Sequence, residues 1–197
     1  MQQYAEQATV LARTASSTVS LVRGTGDGQL YVVKRVRCIP CTTNEDQMAL
    51  AYAVQEVRLL VEARHPNIVR AVDFFIEGKH HVLVLEYCQC GDLEQQIRAV
   101  AAQQPTAGSI RPAHILRWMV GLVSAVEHIH EQGVIHRDIK PANVFLRALD
   151  GLPTDIALGD LGAARRLHAG QDLITAKLTG TKCYTVRESR EKGSARL

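Results

Sequence analysis

The pattern of apolar residues changes once along this chain of 197 residues, near Asp92. Before that point, short Val-rich runs alternate in part between apolar and polar residues, which is typical of β-strands. After it, longer segments carry apolar residues at helical spacing. Strands in the first half and helices in the second half predict an α+β protein of one domain or two lobes.

The first half is predicted to hold five strands and one helix. Asp27-Gly28 is a strong signal for a hairpin turn, so the strands around it should form an antiparallel meander. The segment from Ala49 to Ala63 contains neither Gly nor Pro and predicts the helix. The strands are expected at QATVLA, TVSLVR, QLYVVKRV, IVRAVDFFIE and HVLVLEY, with a turn at Gly78 between the last two.

The second half is predicted to be mainly helical. One helix is expected at DLEQQIRAVAAQQ and a longer one from Pro112 to Glu131, ended by Gly133. Two strand-like segments follow, NVFLRAL and IALGD, and Asp150-Gly151 with Pro153 between them predict an enlarged turn. The longer helix carries one apolar stripe, formed by Ile115, Met119, Leu122, Val126 and Ile129.

Composition and charge exclude several classes of function. Apolar residues make up 46% of the chain and charged residues 22%, as in a soluble globular protein. The net charge of +3 is spread along the chain and is too weak to indicate nucleic acid as a partner. No apolar run is long enough to cross a membrane, and the first residues lack the pattern of a signal peptide, so we expect a cytoplasmic protein without a membrane partner.

The five cysteines fall in two close pairs and one single residue. An odd number of cysteines without a secretory signal favours reduced thiols over disulfides. Cys38-x-x-Cys41 is compatible with half of a zinc site, but the spacing of Cys88-x-Cys90 is too tight to supply the other half. Zinc binding is therefore the weaker hypothesis for these residues.

A short loop after the long helix, VIHRDIKPANVFL, concentrates polar side chains. It holds Asp138, Lys140 and Asn143 within six residues. Phosphoryl transfer needs such a set: a carboxylate for the hydroxyl proton, a cation for the moving phosphoryl group and an oxygen ligand for magnesium. Asp160, in GDLG at the end of the next strand, adds a second carboxylate. Alone, each residue is equally compatible with a surface turn, but together they indicate phosphoryl transfer.

With this motif set the chain resembles the eukaryotic protein kinases. The spellings EYCQCGDL, EVRLLVEARHPNIV and Asp-Leu-Gly are most similar to the NIMA-related serine/threonine kinases. The resemblance implies a two-lobed protein-kinase-like α+β fold, with a five-stranded antiparallel sheet and one helix in the N-lobe and an incomplete, mainly helical C-lobe. It places the N-lobe and hinge at residues 1–88, the partial C-lobe at 89–188 and a disordered polar tail at 189–197.

The resemblance also implies roles for the motif residues in the second half. Asp138 is the expected catalytic base, Lys140 the lysine of serine/threonine kinases, and Asn143 and Asp160 the metal ligands. The implied cofactors are ATP and Mg²⁺, and the implied partner is a protein substrate with a Ser or Thr hydroxyl. Arg137 is expected to bind a phosphate on Thr175 or Thr179, although both threonines are equally compatible with plain loop residues. Association with the cytoskeleton is a further implication.

Nucleotide binding is implied for residues on both sides of the predicted hinge. Lys34 in YVVK matches the lysine that holds the α- and β-phosphates, and Glu56 matches its partner on the helix. The segment Leu85–Cys88 resembles the hinge beside adenine. The full set of expected nucleotide-binding positions is Ala12, Thr14, Ser17, Val19, Val32, Lys34, Glu56, Leu85, Glu86, Cys88, Asp92, Phe145 and Asp160.

The chain departs from the kinase pattern at the phosphate-binding loop. Kinases have three glycines before the Val of the second strand, where ARTASSTV places Ala12, Thr14 and Ser17. Glycine lets backbone amides come close to phosphate, at times with positive φ, so weaker nucleotide binding is expected here.

A second departure lies near the end of the sequence. The expected Ala-Pro-Glu reads Val186-Arg187-Glu188, and we expect the helices that would cover the long helix to be missing. Marginal stability and self-association through that face are expected consequences. Two hypotheses therefore stand beside an active kinase: a non-catalytic kinase-like module that binds or scaffolds partners, and a shortened or frame-shifted copy of a kinase sequence.

Overall fold

A computed structural model describes residues 4, 9–14, 17–37, 44–102, 110–149, 152–167 and 181 of the chain. It divides into two units. The first contains Met1–Arg64 and Val69–Tyr87, and the second contains His65–Ile68 and Cys88–Leu197. The four residues 65–68 therefore pack with the second unit, although the chain on both sides of them belongs to the first.

The first unit is built on a five-stranded antiparallel sheet with the strand order β1-β2-β3-β5-β4. Val, Ile, Thr, Tyr and Phe make up 15 of its 34 strand residues, and β-branched and aromatic residues favour extended backbone. The expected five-stranded sheet is confirmed. Its strands are β1 (Thr9–Arg13), β2 (Ser17–Arg23), β3 (Leu30–Arg37), β4 (Ala71–Glu77) and β5 (His80–Glu86).

The hairpin between β2 and β3 turns where the sequence predicted. Gly28 has a φ of +68°, which only glycine adopts without strain. The Gly24 amide donates to the Gln29 carbonyl at 2.8 Å, and the Gln29 amide donates to the Asp27 carboxylate at 2.9 Å. Asp27 thus closes the turn as an Asx residue, which explains the strength of the Asp-Gly signal.

One face of this sheet forms the core of the first unit. Val22, Val33, Val82 and Val84 are buried there. Tyr4, Tyr31, Val72 and Phe75 pack against this cluster. Since side chains alternate along a strand, the neighbours of the buried valines point to the opposite face of the sheet, and Lys34 on β3 is one of them.

Helix α1 (Asn44–Glu62) begins five residues before the predicted start at Ala49. The residue types of Asn44-Glu45-Asp46 account for the earlier start, because Asn favours a helix N-terminus and acidic residues favour the first turn. Leu59 and Leu60 are buried, whereas Val61 is 48% exposed.

The second unit combines helices with short hairpins. The Pro112–Glu131 helix has the predicted bounds, and the Gly133 amide donates to the His130 carbonyl at 2.8 Å after it. Two short 3₁₀ turns lie at Pro141–Asn143 and Leu161–Ala163. The other elements are α2 (Leu93–Ala102), α3 (Pro112–Glu131), β6 (Val134–Ile135), β7 (Val144–Leu149), β8 (Leu152–Leu158) and β9 (Arg165–Arg166); β6 pairs with β9 and β7 with β8, both antiparallel.

Helix α3 buries a different face from the predicted stripe. Ile115 and Met119 are 44% and 58% exposed, and Leu122 and Val126 are half-buried. Gly121 explains the rotation, since a Cβ there would lie 2.8 Å from Asn67 Nδ2, so the helix approaches its neighbours closely on this side. The buried residues are Trp118, Gly121, Ala125 and Ile129. No helix in the described part of the chain is long and apolar enough to cross a membrane.

The prediction of an enlarged turn between β7 and β8 is wrong. The two strands leave only residues 150–151 between them, and Pro153 pairs with Ala148 inside the hairpin. The register shifts between Arg147 and Ala148, next to the proline. Such an irregularity accommodates a residue that lacks an N–H donor, so the extra length extends the hairpin instead of its loop.

Several predictions fall on residues outside the described part of the chain. Of the cysteines, Cys88 and Cys90 are described; Cys88 is buried and Cys90 is half-buried. The other predicted features outside the described residues are Cys38, Cys41, Cys183, Thr175, Thr179, the segment Val186-Arg187-Glu188 and the polar tail.

Candidate functional site

Lys34 and Glu56 form the central ion pair of the first unit. The Lys34 Nζ lies 2.6 Å from the Glu56 Oε2. Glu56 is only 4% exposed although it lies on α1, where Arg58 and Glu62 are exposed. A carboxylate is buried at this depth only with a charged or strongly hydrogen-bonding partner. The structure therefore brings together the two residues that the sequence assigned to phosphate binding in this unit.

Three other predicted nucleotide-binding residues share a face with Lys34. Val19 on β2 is the cross-strand neighbour of Lys34. Val32 lies two residues before Lys34 on β3, and Leu85 on β5 is opposite Val32. All three are half-buried. An apolar surface with one lysine head is thereby formed on the sheet, which suits a planar apolar ring attached to phosphates.

The predicted phosphate-binding loop is a short turn closed by its own side chains. The Ser17 amide donates to Thr14 Oγ1 at 3.0 Å, and the two hydroxyl oxygens lie 2.8 Å apart. Ala12 precedes the turn and pairs with Val19 in the sheet. Among the described residues, the non-glycine residues with positive φ are Arg137 and Asp160. Ala12, Thr14 and Ser17 therefore adopt conformations that do not require glycine.

The predicted hinge residues use their side chains for structure. The Glu86 carboxylate accepts the Arg70 amide at 2.7 Å in the first unit. In the second unit, Cys88 is buried, and the Asp92 carboxylate accepts the Gln95 amide at 2.8 Å, which caps α2. Asp92 also forms an isolated bridge with Phe145 on β7. The structure thus brings Asp92 and Phe145 together, with one oxygen of Asp92 already engaged.

Asp138 is the centre of the polar cluster in the second unit. Its Oδ2 accepts hydrogen bonds from Lys140 Nζ at 2.7 Å and from Asn143 Nδ2 at 3.1 Å. Asn143 Nδ2 also donates to the Asp138 carbonyl at 2.8 Å. Asn143 is itself 5% exposed, because a 3₁₀ turn folds it back under the loop. The loop therefore fixes the three predicted catalytic residues against one another.

Thr181 is a residue of this cluster that the sequence did not single out as a site residue. Its amide and its hydroxyl each donate to Asp138 Oδ1 at 2.8 Å. Lys140 Nζ donates to the Thr181 hydroxyl at 2.8 Å. Thr181 lies 43 residues after Asp138 in the chain. Pattern along the chain does not reveal a contact at that distance.

These partners hold Asp138 as a carboxylate. Burial by itself raises the pKa of Asp138, but the hydrogen bonds from Lys140 and Thr181 and the charge of Lys140 outweigh burial, so the pKa lies below its ordinary value. Its two oxygens accept four hydrogen bonds, which matches the lone pairs of a carboxylate. Asp138 is therefore ionised and fixed in orientation at neutral pH.

The same loop positions Asp160. The Gly159 amide donates to the Asn143 carbonyl at 2.9 Å, and the Gly159 carbonyl lies 3.0 Å from His136 Nε2. His136 is 1% exposed, and burial lowers the pKa of its imidazole, so the ring is neutral where it lies between the loop and Gly159. Asp160 follows with a φ of +56°, an uncommon conformation for a residue with a Cβ. Strain of this kind persists where surrounding contacts impose it.

Asn143 and Asp160 supply oxygen atoms suited to a hard divalent cation. The Nδ2 of Asn143 is engaged with Asp138, so the side-chain oxygen of Asn143 is the atom that can act as a ligand. Within the described residues no group of three or more His, Cys, Asp or Glu residues could hold a metal by themselves. Mg²⁺ normally takes one or two protein ligands and completes its shell with phosphates and water, so this donor set fits it.

Arg137 adopts a φ of +66°, and its Nε donates to the Ala163 carbonyl at 2.8 Å. This contact ties the loop to the 3₁₀ turn that follows Asp160. The proposed partners of Arg137, phosphorylated Thr175 or Thr179, lie outside the described residues, so that pairing stays a prediction.

Comparison with known proteins gives a consistent result. A family model for the protein kinase domain matches residues 6–191. Serine/threonine-protein kinase Nek1 of Mus musculus is 35% identical over 164 residues, which cover 83% of this chain and 12% of that protein. Serine/threonine-protein kinase Nek2 of Homo sapiens is 36% identical over 181 residues, 88% of this chain and 38% of that protein.

A third relative, serine/threonine-protein kinase Nek4 of Mus musculus, is 32% identical over 177 residues, which cover 89% of this chain and 20% of that protein. The predicted resemblance to the NIMA-related serine/threonine kinases is confirmed. The chain spans between 12% and 38% of the length of these three relatives.

Proposed function

This chain belongs to the protein kinase domain family, and we propose that it transfers the γ-phosphate of ATP to Ser or Thr hydroxyls of a protein substrate. The observation that carries this proposal is the cluster around Asp138. A half-buried loop holds one ionised carboxylate against Lys140, Asn143 and Thr181, at distances between 2.7 and 3.1 Å. Holding a single charged group in this way costs free energy, and such arrangements are concentrated at functional sites.

Asp138 would exchange one of its four hydrogen bonds for one from the substrate hydroxyl, orient that hydroxyl and accept its proton. A carboxylate with a lowered pKa is a weak base, so its main contribution is to direct the oxygen lone pair of the hydroxyl toward phosphorus. Lys140, 2.7 Å away, would stabilise the negative charge on the transferred phosphoryl group. Thr181 keeps the carboxylate in orientation through its amide and its hydroxyl.

We assign the α- and β-phosphates of ATP to Lys34. The lysine head is about a quarter exposed while Glu56 is buried, so the ammonium can contact a phosphate without leaving its partner. Val19, Val32 and Leu85, on the same face of the sheet, would contact the base and ribose. Because Thr14 and Ser17 hydrogen-bond to each other, we expect the turn that they delimit to bind phosphates weakly.

Asn143 and Asp160 would hold Mg²⁺ through side-chain oxygens. When bound, the ion neutralises charge on the phosphates. The contribution of this chain is to fix the two ligands, which it does through the hydrogen bond from the Gly159 amide to the Asn143 carbonyl. The odd number of cysteines in the sequence supports a cytoplasmic location for this activity.

Transfer of labelled phosphate tests the proposal. The purified chain is incubated with γ-labelled ATP, Mg²⁺ and a mixed library of Ser- and Thr-containing peptides, with EDTA in the control. Label on Ser or Thr that depends on Mg²⁺ is the expected result. A chain that binds Mg-ATP but transfers no label would replace the kinase assignment with that of a binding module.

A non-catalytic binding module is the competing function, and one observation favours it. Exposed apolar side chains follow one face of α3 without an intervening charge: Leu116 at 66%, Met119 at 58%, Val120 at 61% and Val123 at 63%. Exposed apolar patches of this kind mark interaction surfaces. We propose that two copies of the chain associate through this face.

Sedimentation equilibrium of the chain and of a Met119→Glu, Val123→Glu variant tests the association. The apparent mass of the unsubstituted chain should rise with concentration, and that of the variant should stay at one chain. Equal masses for both proteins at every concentration would exclude this face as the contact.

A further inference from the structure

Two histidines stack in the second unit, far along the chain from the residues assigned to phosphoryl transfer. His65 lies in segment 65–68 and His128 lies on α3, and their ring centroids are 4.9 Å apart with an interplanar angle of 28°. Two imidazoles at this distance interact according to their charge, and histidine is the side chain that changes its charge near physiological pH. The pair is therefore a candidate for a pH-dependent contact.

The hydrogen bonds of His65 assign its neutral form. The Asn67 amide donates to His65 Nδ1 at 3.1 Å, so Nδ1 carries no proton. The ring proton then lies on Nε2, which faces Ser124 Oγ at 3.2 Å. A protonated imidazole is a donor at both nitrogens, so it would set an N–H against the N–H of Asn67. A backbone amide cannot reverse its polarity to accommodate this change.

The segment that His65 begins holds strand β8. Asn67 Nδ2 donates to the Ile156 carbonyl at 3.1 Å, and the Leu158 amide donates to the Asn67 carbonyl at 2.8 Å. Ile68 forms a parallel bridge with Leu158 and is buried. Leu158 is the last residue of β8, two residues before Asp160. The order of the strand end that carries Asp160 therefore depends on this segment.

The charged groups around His65 are cationic. His128 faces it from α3, and Arg147 on β7 donates to the Pro66 and Ile68 carbonyls on either side of Asn67. Arg64 precedes His65 in the chain. Within the described residues no carboxylate forms a hydrogen bond to His65 to stabilise its charged form. The surroundings therefore oppose protonation of this imidazole.

His128 differs from its partner in what it contacts. Its Nε2 lies 2.9 Å from Nε2 of Gln132. The Gln132 amide can rotate to present its oxygen if His128 gains a proton, whereas the Asn67 amide next to His65 cannot. His65 is therefore the member of the pair at which protonation breaks a contact.

We propose that His65 is a pH-sensitive latch, which holds segment 65–68 on α3 and β8 while neutral and releases it when protonated. Burial first, and then the charge of His128, lower the pKa of His65 below its ordinary value of 6.5. The open form consequently binds the proton more readily than the closed form. The latch is fully stable above about pH 6.5 and loses stability as the pH falls below that value.

Hydrogen exchange at the Asn67 and Leu158 amides, followed by NMR on the full chain, tests the latch. Rates are compared at about pH 7.5 and about pH 5.5 after correction for the intrinsic pH dependence of exchange. Protection of both amides should fall on acidification. At one pH unit below 6.5, protection can fall by at most about tenfold. This limit is reached if the closed form does not bind the proton at all.

Three variants separate the latch from general acid destabilisation, to which the buried His136 also contributes. His65→Asn keeps an oxygen that accepts the Asn67 amide but cannot titrate, so its protection should be equal at both pH values. His128→Gln removes the opposing charge and should reduce the fall. His130→Gln, an exposed control on the same helix, should behave as the unsubstituted chain.

The outcome that overturns the latch is equal protection of the unsubstituted chain at both pH values, or an equal fall in His65→Asn. If His65→Asn does not fold, the comparison of His128→Gln with His130→Gln decides. Equal falls in those two variants would also overturn it. None of these readouts depends on the proposed kinase activity.

Discussion

The turn at Thr14–Ser17 and the loop at His136–Asn143 are both short connections closed by side-chain hydrogen bonds, but the bonds span very different distances along the chain. The turn is exposed, and its bonds join residues three positions apart. The loop is half-buried, and its bonds reach Gly159, 23 residues after His136, and Thr181, 43 residues after Asp138. The turn needs only its own residues, while the loop needs the rest of the second unit.

The loop and the turn also differ in how well they agree with the kinase family pattern. The loop keeps the residue types of a phosphoryl-transfer site and is held by distant partners. The turn has lost the glycines of a phosphate-binding loop and has gained residues that stabilise it as a plain hairpin. We therefore expect the chemistry of this chain to be retained at Asp138 and its affinity for nucleotide to be limited at the turn.

Asp138→Asn is expected to have the largest effect on activity. It removes the carboxylate to which four hydrogen bonds converge and should lower the rate of phosphate transfer by about 10²–10⁴-fold. Asp155→Asn is the matched control, because Asp155 is a carboxylate of the same unit that is paired at the surface. Initial rates with labelled ATP measure both. Equal rates for the two variants would mean that the loop is not the catalytic centre.

Lys34→Met should destabilise the first unit more than Glu56→Gln does. The first substitution leaves a carboxylate that is 4% exposed without its lysine, while the second leaves a lysine head that water can reach. We expect a difference of about 1–3 kcal/mol in the free energy of unfolding, measured by urea denaturation. Equal losses would show that the buried carboxylate does not depend on this ion pair.

Placing glycine at Thr14 and Ser17 tests whether this turn limits the affinity for nucleotide. Thr14→Gly with Ser17→Gly removes the side-chain hydrogen bonds between these two residues and should cost about 0.5–1 kcal/mol of stability per residue. The same change should tighten Mg-ATP binding several-fold in calorimetry. Gly26→Ala, at an exposed glycine of the other turn with open space around it, is the control and should leave affinity unchanged. Unchanged affinity in the glycine variant would remove the turn as the limiting element.

The smallest effect is expected at a contact that spans a long distance along the chain but lies at the surface. Arg117 and Asp155 are 38 residues apart and form a 2.7 Å ion pair, with side chains 57% and 41% exposed. A double-mutant cycle with Arg117→Gln and Asp155→Asn should give a coupling of about 0.2–1 kcal/mol. A coupling well above this range would show that the separation of the two partners along the chain, and not their burial, determines how much such a contact stabilises the protein.

The sequence was sufficient for elements whose signals are local. Helix α3 begins at Pro112 and ends just before Gly133, and both are strong boundary residues. The hairpin at Asp27-Gly28 was predicted for the same reason. The Asp138 loop was found because three polar residues of defined chemistry lie within six positions, although their mutual contacts became visible only in the structure.

The features that the sequence did not predict depend on packing. The apolar residues of α3 extend around more than one face, and Gly121 decides which face approaches Asn67 and Ile156. Pro153 signalled a turn, but a strand accommodates it next to an irregular register. Thr181 joins Asp138 through the folded chain alone. In each case the deciding contact lies between residues more than four positions apart.

Binding of Mg-ATP by the residues assigned to it can be measured through the melting temperature of the chain, recorded with and without Mg-ATP. The same pair of measurements is made on Lys34→Met and Asp160→Ala. We expect a rise in melting temperature for the unsubstituted chain that both substitutions abolish. If the melting temperature of the unsubstituted chain does not rise, the chain does not bind Mg-ATP. If it rises equally in both variants, Lys34 and Asp160 do not bind it.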